Sequence, residues 1–176
     1  MIQKIIDGLN AREKKYIAKA ISIVESNSSQ AQELLGNINS NSTHAIRIGI
    51  TGPPGAGKST ITNQLIKRYR ENNKSVCALL VDPSSPFTKG AVLGDRIRMK
   101  DFHKDNNVFI RSIASRGSKG GLSDNIEYIA NVINYCKFDI IIFETVGIGQ
   151  IELDVIESVD TVAVVLVPES GDDIQM

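Results

Sequence analysis

From Ile2 to about Gly36 apolar residues return at three- and four-residue spacing, as in Ile17, Ala20, Ile21 and Val24, with charged residues between them. That spacing predicts helix. Gly8 and Asn10 interrupt the run, and Asn27-Ser28-Ser29 interrupts it again with residue types suited to a helix N-cap. Two or three short helices are expected here, packed as a small cap on whatever follows. Asn37 to His44 is polar and rich in Asn and Ser, so it reads as a linker.

Beyond the linker the period changes. Ala45 to Thr51 is a short, partly β-branched run, followed by a glycine-rich turn and then a helical pattern from Lys58 to about Glu71. Ser75 to Val81, Phe138 to Phe143 and Thr161 to Val167 are continuous apolar runs of the buried parallel-strand type, and Asn107 to Ile113 is a further strand candidate. Leu122 to Cys136 carries Ile126, Ile129, Ala130 and Ile133 on one helical face. Strands alternating with helices predict an α/β fold, a mostly parallel sheet with helices on both faces. The expected division is a helical segment with its linker at 1–44 and an α/β unit at 45–176.

Composition narrows the partners. Lys and Arg total 20 and Asp and Glu total 20 in 176 residues, so no global charge draws the chain to nucleic acid or an anionic membrane. No window approaches the apolar length of a bilayer span, and the N-terminal stretch lacks the apolar core and cleavage site of a signal peptide. Cys77 and Cys136 lie far apart in apolar surroundings with no histidine close by, and are expected to be buried thiols of a reducing compartment. The expectation is a cytoplasmic protein whose anion site is local.

Gly52-Pro53-Pro54-Gly55-Ala56-Gly57-Lys58-Ser59 matches G-x-x-x-x-G-K-[ST] at every specified position, between a β-rich run and a helical one. The glycines let the backbone turn at positive φ and approach a ligand closely. Successive N–H groups can then face an anion at the positive end of a helix. Gly52, Pro54, Gly55, Ala56, Gly57, Lys58, Ser59 and Thr60 form the expected phosphate-binding segment of a P-loop NTPase, with Lys58 on the β- and γ-phosphates and the Ser59 hydroxyl on magnesium. Acidic partners are expected where neighbouring strands end. Val81 leads into Asp82, and Phe143 leads into Glu144-Thr145-Val146-Gly147. Glu144 has two candidate roles: holding Mg2+ through a water, or orienting the attacking water. Gly147 suits a main-chain N–H that senses a γ-phosphate. Phe87 to Asp95 reads as a loop that such a phosphate could order, with Asp95 as a further metal-side candidate.

In order along the chain come GPPGAGKST (52–60), VDPSS (81–85), LGD (93–95) with Arg98-Met99, FIRS (109–112), Gly120-Gly121 and ETVGIGQ (144–150). This set resembles the MeaB/ArgK-type GTPases, of the SIMIBI class of P-loop proteins, over about residues 10–175. The resemblance implies a GTP-driven chaperone of an adenosylcobalamin-dependent acyl-CoA mutase, chiefly methylmalonyl-CoA mutase, acting in cofactor loading and protection. It implies GTP or GDP as ligand with Mg2+, Lys58 and Ser59 as phosphate and magnesium residues, and Asp82, Asp95 and Glu144 as metal and water-handling residues. It further implies a first switch around Phe87 to Asp95, a second at Val146 to Gln150, and the start of a third at Gly171 to Gln175.

These GTPases read guanine with an N-K-x-D element, and 1–176 contains none; guanine preference is implied by the resemblance alone. The expectation is a chain truncated before that element, with an exposed sheet edge and face that favour marginal stability or self-association into a homo-oligomer. Two alternatives stay open. One is a small-molecule kinase, or transport-system ATPase or kinase, whose lid would draw on Arg96, Arg98, Arg111 and Arg116; the other is a non-catalytic fragment binding a nucleotide or a partner. His44 and His103, in polar loop contexts, are expected at the surface.

Overall fold

A computed structural model describes residues 1–26, 28–38, 45–82, 102, 104–114, 121–145 and 155–168. Three helices open the chain: α1 (Ile2–Asn10), α2 (Lys14–Glu25) and α3 (Ser29–Ile38). Gly8 does not break α1, against expectation; its role is close packing, since a Cβ there would sit 2.0 Å from the Tyr16 ring of α2. The α/β part follows as β1 (Ile46–Thr51), α4 (Lys58–Glu71), β2 (Val76–Asp82), β3 (Val108–Ala114), α5 (Gly121–Tyr135), β4 (Ile140–Thr145) and β5 (Thr161–Val164).

The five strands form one parallel sheet in the order β3-β2-β4-β1-β5. Inserting β4 between β1 and β2 brings the end of β4 beside the turn that leaves β1. Because side chains alternate along a strand, each face builds its own core. Cys77, Leu79, Val81, Phe109, Ile141 and Phe143 pack with α5 and all three N-terminal helices. Ile50, Ala78, Leu80, Ile140 and Ile142 pack with Ile66 of α4. Helices therefore cover both faces, and the N-terminal helices share one continuous core with the sheet.

Polar contacts hold the N-terminal helices in place. Arg111 of β3 donates to Glu25 at 2.8 Å, to the Ser22 hydroxyl at 2.9 Å and to the Ala18 carbonyl, all on α2. Arg12 donates to the Cys136 carbonyl at 2.7 Å and to that of Lys137, capping the end of α5, and lies over the Phe138 ring. Cys77 and Cys136 are both buried free thiols.

One strand departs from expectation. Thr161 to Val167 reads as a buried run, yet β5 stops at Val164, lies at the sheet edge and leaves Val164 59% and Leu166 70% exposed. A run of valines signals strand propensity, and burial depends on what covers it. No helix among the described residues is long and apolar enough to cross a membrane.

Candidate functional site

The turn after β1 is held by backbone geometry. Gly52, Gly55 and Gly57 have φ of +134°, +80° and +93°. At Gly52 a close approach adds to the positive φ: a Cβ would lie 2.1 Å from the Val165 carbonyl oxygen, and Val165 is tied there by its N–H donating to the Thr51 carbonyl at 2.8 Å. Gly57, in the left-handed region, is the N-cap of α4, so the helix starts with its unpaired N–H groups directed at the turn. Pro54 and Gly55 form the exposed crest, Ala56 is half-buried, and Thr60 is exposed on α4.

Lys58 is only 7% exposed. Its ammonium turns back into the loop and donates to the carbonyls of Gly52 at 2.6 Å and Pro53 at 2.9 Å. Two carbonyl oxygens facing an incoming phosphate would repel it; a cation on both reverses the local field.

Glu144 lies inside β4, one residue short of its end. Its register partners are Ile50 on one side and Leu80 on the other, so the pleat directs it to the α4 face. There the carboxylate, 7% exposed, accepts the Ser59 hydroxyl at 2.6 Å on one oxygen and the Thr62 hydroxyl at 2.6 Å on the other. On the opposite face the Thr145 and Thr51 hydroxyls lie 3.2 Å apart and link the ends of β4 and β1. Ser59 and Glu144 supply hard oxygen donors, the type magnesium takes from protein while phosphates and waters complete its shell. The donor set fits that ion.

The structure thus brings Gly52 to Thr60 together with Glu144. Asp82 is the last residue of β2, adjacent to β4, and only its backbone is described. Asp95, Gly147, the loops 87–95 and 146–150, the segment 171–175, His44, His103, Arg96, Arg98 and Arg116 lie outside the described residues. The side chain of Arg111, from β3, is bonded to α2. Sequence reading missed Thr62, although a hydroxyl three residues after Ser59 on a helix shares its face.

The family model described as methylmalonyl Co-A mutase-associated GTPase MeaB matches residues 17–176. A protein of Pyrococcus horikoshii is 45% identical over 174 residues, covering 99% of this chain and 55% of its own length. GTPase ArgK of Escherichia coli is 36% identical over 171 residues, with 95% of this chain and 52% of its own length covered. The Mus musculus protein named methylmalonic aciduria type A homolog, mitochondrial, is 34% identical over 188 residues, with 99% and 45% covered. A solved structure described as a LAO/AO transport system kinase superposes with a TM-score of 0.67 at 29% identity, covering 93% of this chain and 49% of that one. The chain spans about half the length of the curated relatives it matches. A match running from within α2 to the last residue, on a P-loop α/β fold that sets a strand-borne glutamate beside the glycine turn, makes this chain a member of the methylmalonyl Co-A mutase-associated GTPase family MeaB.

Proposed function

We propose that the chain binds GTP and GDP with magnesium and hydrolyses GTP, as the nucleotide-dependent switch of a chaperone for an adenosylcobalamin-dependent acyl-CoA mutase. The observation that carries this reading is Ser59 held 2.6 Å from Glu144 beside Lys58 in the glycine turn. Phosphoryl transfer to water asks a protein for positioning and charge stabilisation more than for covalent chemistry. Each part has a physical task. The turn and the start of α4 present N–H groups to the phosphates. Lys58 supplies the fixed positive charge, and Ser59 offers its oxygen while its O–H donates to Glu144. Glu144 then holds or orients a water next to the phosphates. Magnesium, when bound, would offset the charge that develops on the phosphate oxygens. Asp82, Asp95 and Gly147 belong to the same proposed site. The helices of 1–44 serve as its cap, and 45–176 carries the nucleotide unit in the cytoplasm.

The mutase partner rests on the family description, and guanine on that description and on relatives named GTPases. A small-molecule kinase is less favoured because Arg111, one of four candidate lid arginines, is committed to Glu25, Ser22 and Ala18. Calorimetry with GTP, ATP and pyrophosphate, together with phosphate release measured without any acceptor, tests the reading. Preference for GTP and acceptor-free release are expected. Equal weak affinity for all three ligands, or strict acceptor dependence, overturns it.

A further inference from the structure

A threonine in a helix interior ordinarily returns its hydroxyl proton to the carbonyl one turn back. Thr62 instead donates across to β4, to the Glu144 oxygen that Ser59 does not use, at 2.6 Å. It is 0% exposed, a position where valine of the same shape would remove a polar atom from the interior. The arrangement has a consequence for Ser59. A carboxylate pinned at one oxygen can still swing about its side-chain torsions; pinned at both, its plane is set. With that plane set, the Ser59 hydroxyl has one short acceptor for its proton, and its lone pairs are turned away from Glu144. Both hydroxyls come from α4, three residues apart, so the helix that opens the phosphate site also fixes the glutamate beneath it. Short bonds to an ionised acceptor are the strong kind.

We infer that Thr62 is a positioning residue for magnesium, fixing the Glu144 carboxylate so that the Ser59 hydroxyl presents its lone pair to the ion. The inference rests on the nucleotide-binding reading above. It separates metal-linked binding, which passes through Ser59 and Glu144, from the metal-free grip of Lys58 and the glycine turn on the phosphates.

The test titrates a fluorescent GDP analogue into the parent, Thr62→Val and Thr62→Ser, each with magnesium and with excess EDTA. Affinity in EDTA should be the same in all three. The gain on adding magnesium should fall about tenfold in Thr62→Val, the size of one charge-assisted hydrogen bond, and return in Thr62→Ser. In turnover the Thr62→Val loss should appear in kcat and in the magnesium requirement, with the KM for GTP little changed at saturating magnesium. If Thr62→Val does not fold, Thr62→Ala carries the same comparison. A parent with a magnesium-dependent gain that Thr62→Val or Thr62→Ala retains overturns the inference alone. An equal loss with and without magnesium also overturns it and makes Thr62 a packing residue. A parent that binds no nucleotide in either condition overturns the proposed function, and this inference with it.

Discussion

Alanine at Gly52 and alanine at Gly55 differ chiefly in what the added Cβ would meet. Both glycines have positive φ, +134° and +80°, so alanine is strained at both, by about 1–2 kcal/mol near the left-handed region at Gly55 and by no less at Gly52, which lies farther from it. Gly55 has nothing within 4 Å of an added Cβ, whereas at Gly52 the Cβ would meet the Val165 oxygen at 2.1 Å and its carbonyl carbon at 3.0 Å. These are backbone atoms, so no side-chain rotation relieves the clash. Val165 must move, which strains or breaks its 2.8 Å hydrogen bond to the Thr51 carbonyl. Overpacking costs about 1–3 kcal/mol and the lost bond roughly 0.5–1.5 kcal/mol. Gly52→Ala should therefore be about 2–4 kcal/mol less stable than Gly55→Ala, a gap of roughly 5–15 °C in Tm for a chain of this size. Urea unfolding followed by far-UV circular dichroism, without nucleotide, measures the difference, and matching m-values in the two variants make it a difference in stability. Equal midpoints for the two variants would refute the close approach of β1's exit to Val165.

Other expectations concern single side chains. Lys58→Ala should weaken GTP binding by about 10–100-fold, the loss of a charge-assisted contact, while thermal unfolding of the apo chain shifts less than in a core truncation, since the Lys58 ammonium donates to the Gly52 and Pro53 carbonyls of the turn; isothermal calorimetry and a melt read the two. Glu144→Gln should keep its magnesium-free affinity for GTP, lose at least part of the gain on adding magnesium, and slow hydrolysis, because an amide cannot accept both hydroxyls; binding with and without EDTA and single-turnover phosphate release measure it, and an unchanged magnesium gain with unchanged turnover would refute the role given to Glu144. Asp105 and Asp139 both titrate below the ordinary 3.8. Burial pushes each up, but the Arg70 and Asn107 hydrogen bonds, with the Arg70 and Lys14 charges, outweigh it at Asp105, and Ser75 with Lys74 does so at Asp139. Folded values below unfolded ones mean that this stabilisation is complete above about pH 4 and is lost as pH falls through the folded values. Asp139→Asn should accordingly flatten the acid limb of stability against pH. Burial pushes the Cys136 thiol up to about 12 and Cys77 well above its usual range, so a thiol reagent at pH 8 should label both only on unfolding, and rapid native labelling would contradict their burial.

Much of this was legible in the chain itself, for a physical reason. The phosphate turn is local: its glycines, Lys58 and Ser59 act within one strand–turn–helix unit, and α4 occupies the residues that the helical period predicts, Lys58 to Glu71. The apolar runs likewise marked β2 and β4, because strands buried on both faces need no polar alternation. What sits beside the turn depends on strand order and on which face a side chain takes, neither of which is a local property. Insertion of β4 between β1 and β2 placed Glu144 against Ser59, and the pleat turned it toward Thr62. Tertiary structure alone also decided that Gly8 stays helical beneath Tyr16, that Arg111 serves α2, and that β5 is a half-exposed edge. Local chemistry specified the grip on phosphate; the company it keeps was chosen by the packing of segments far apart in the chain.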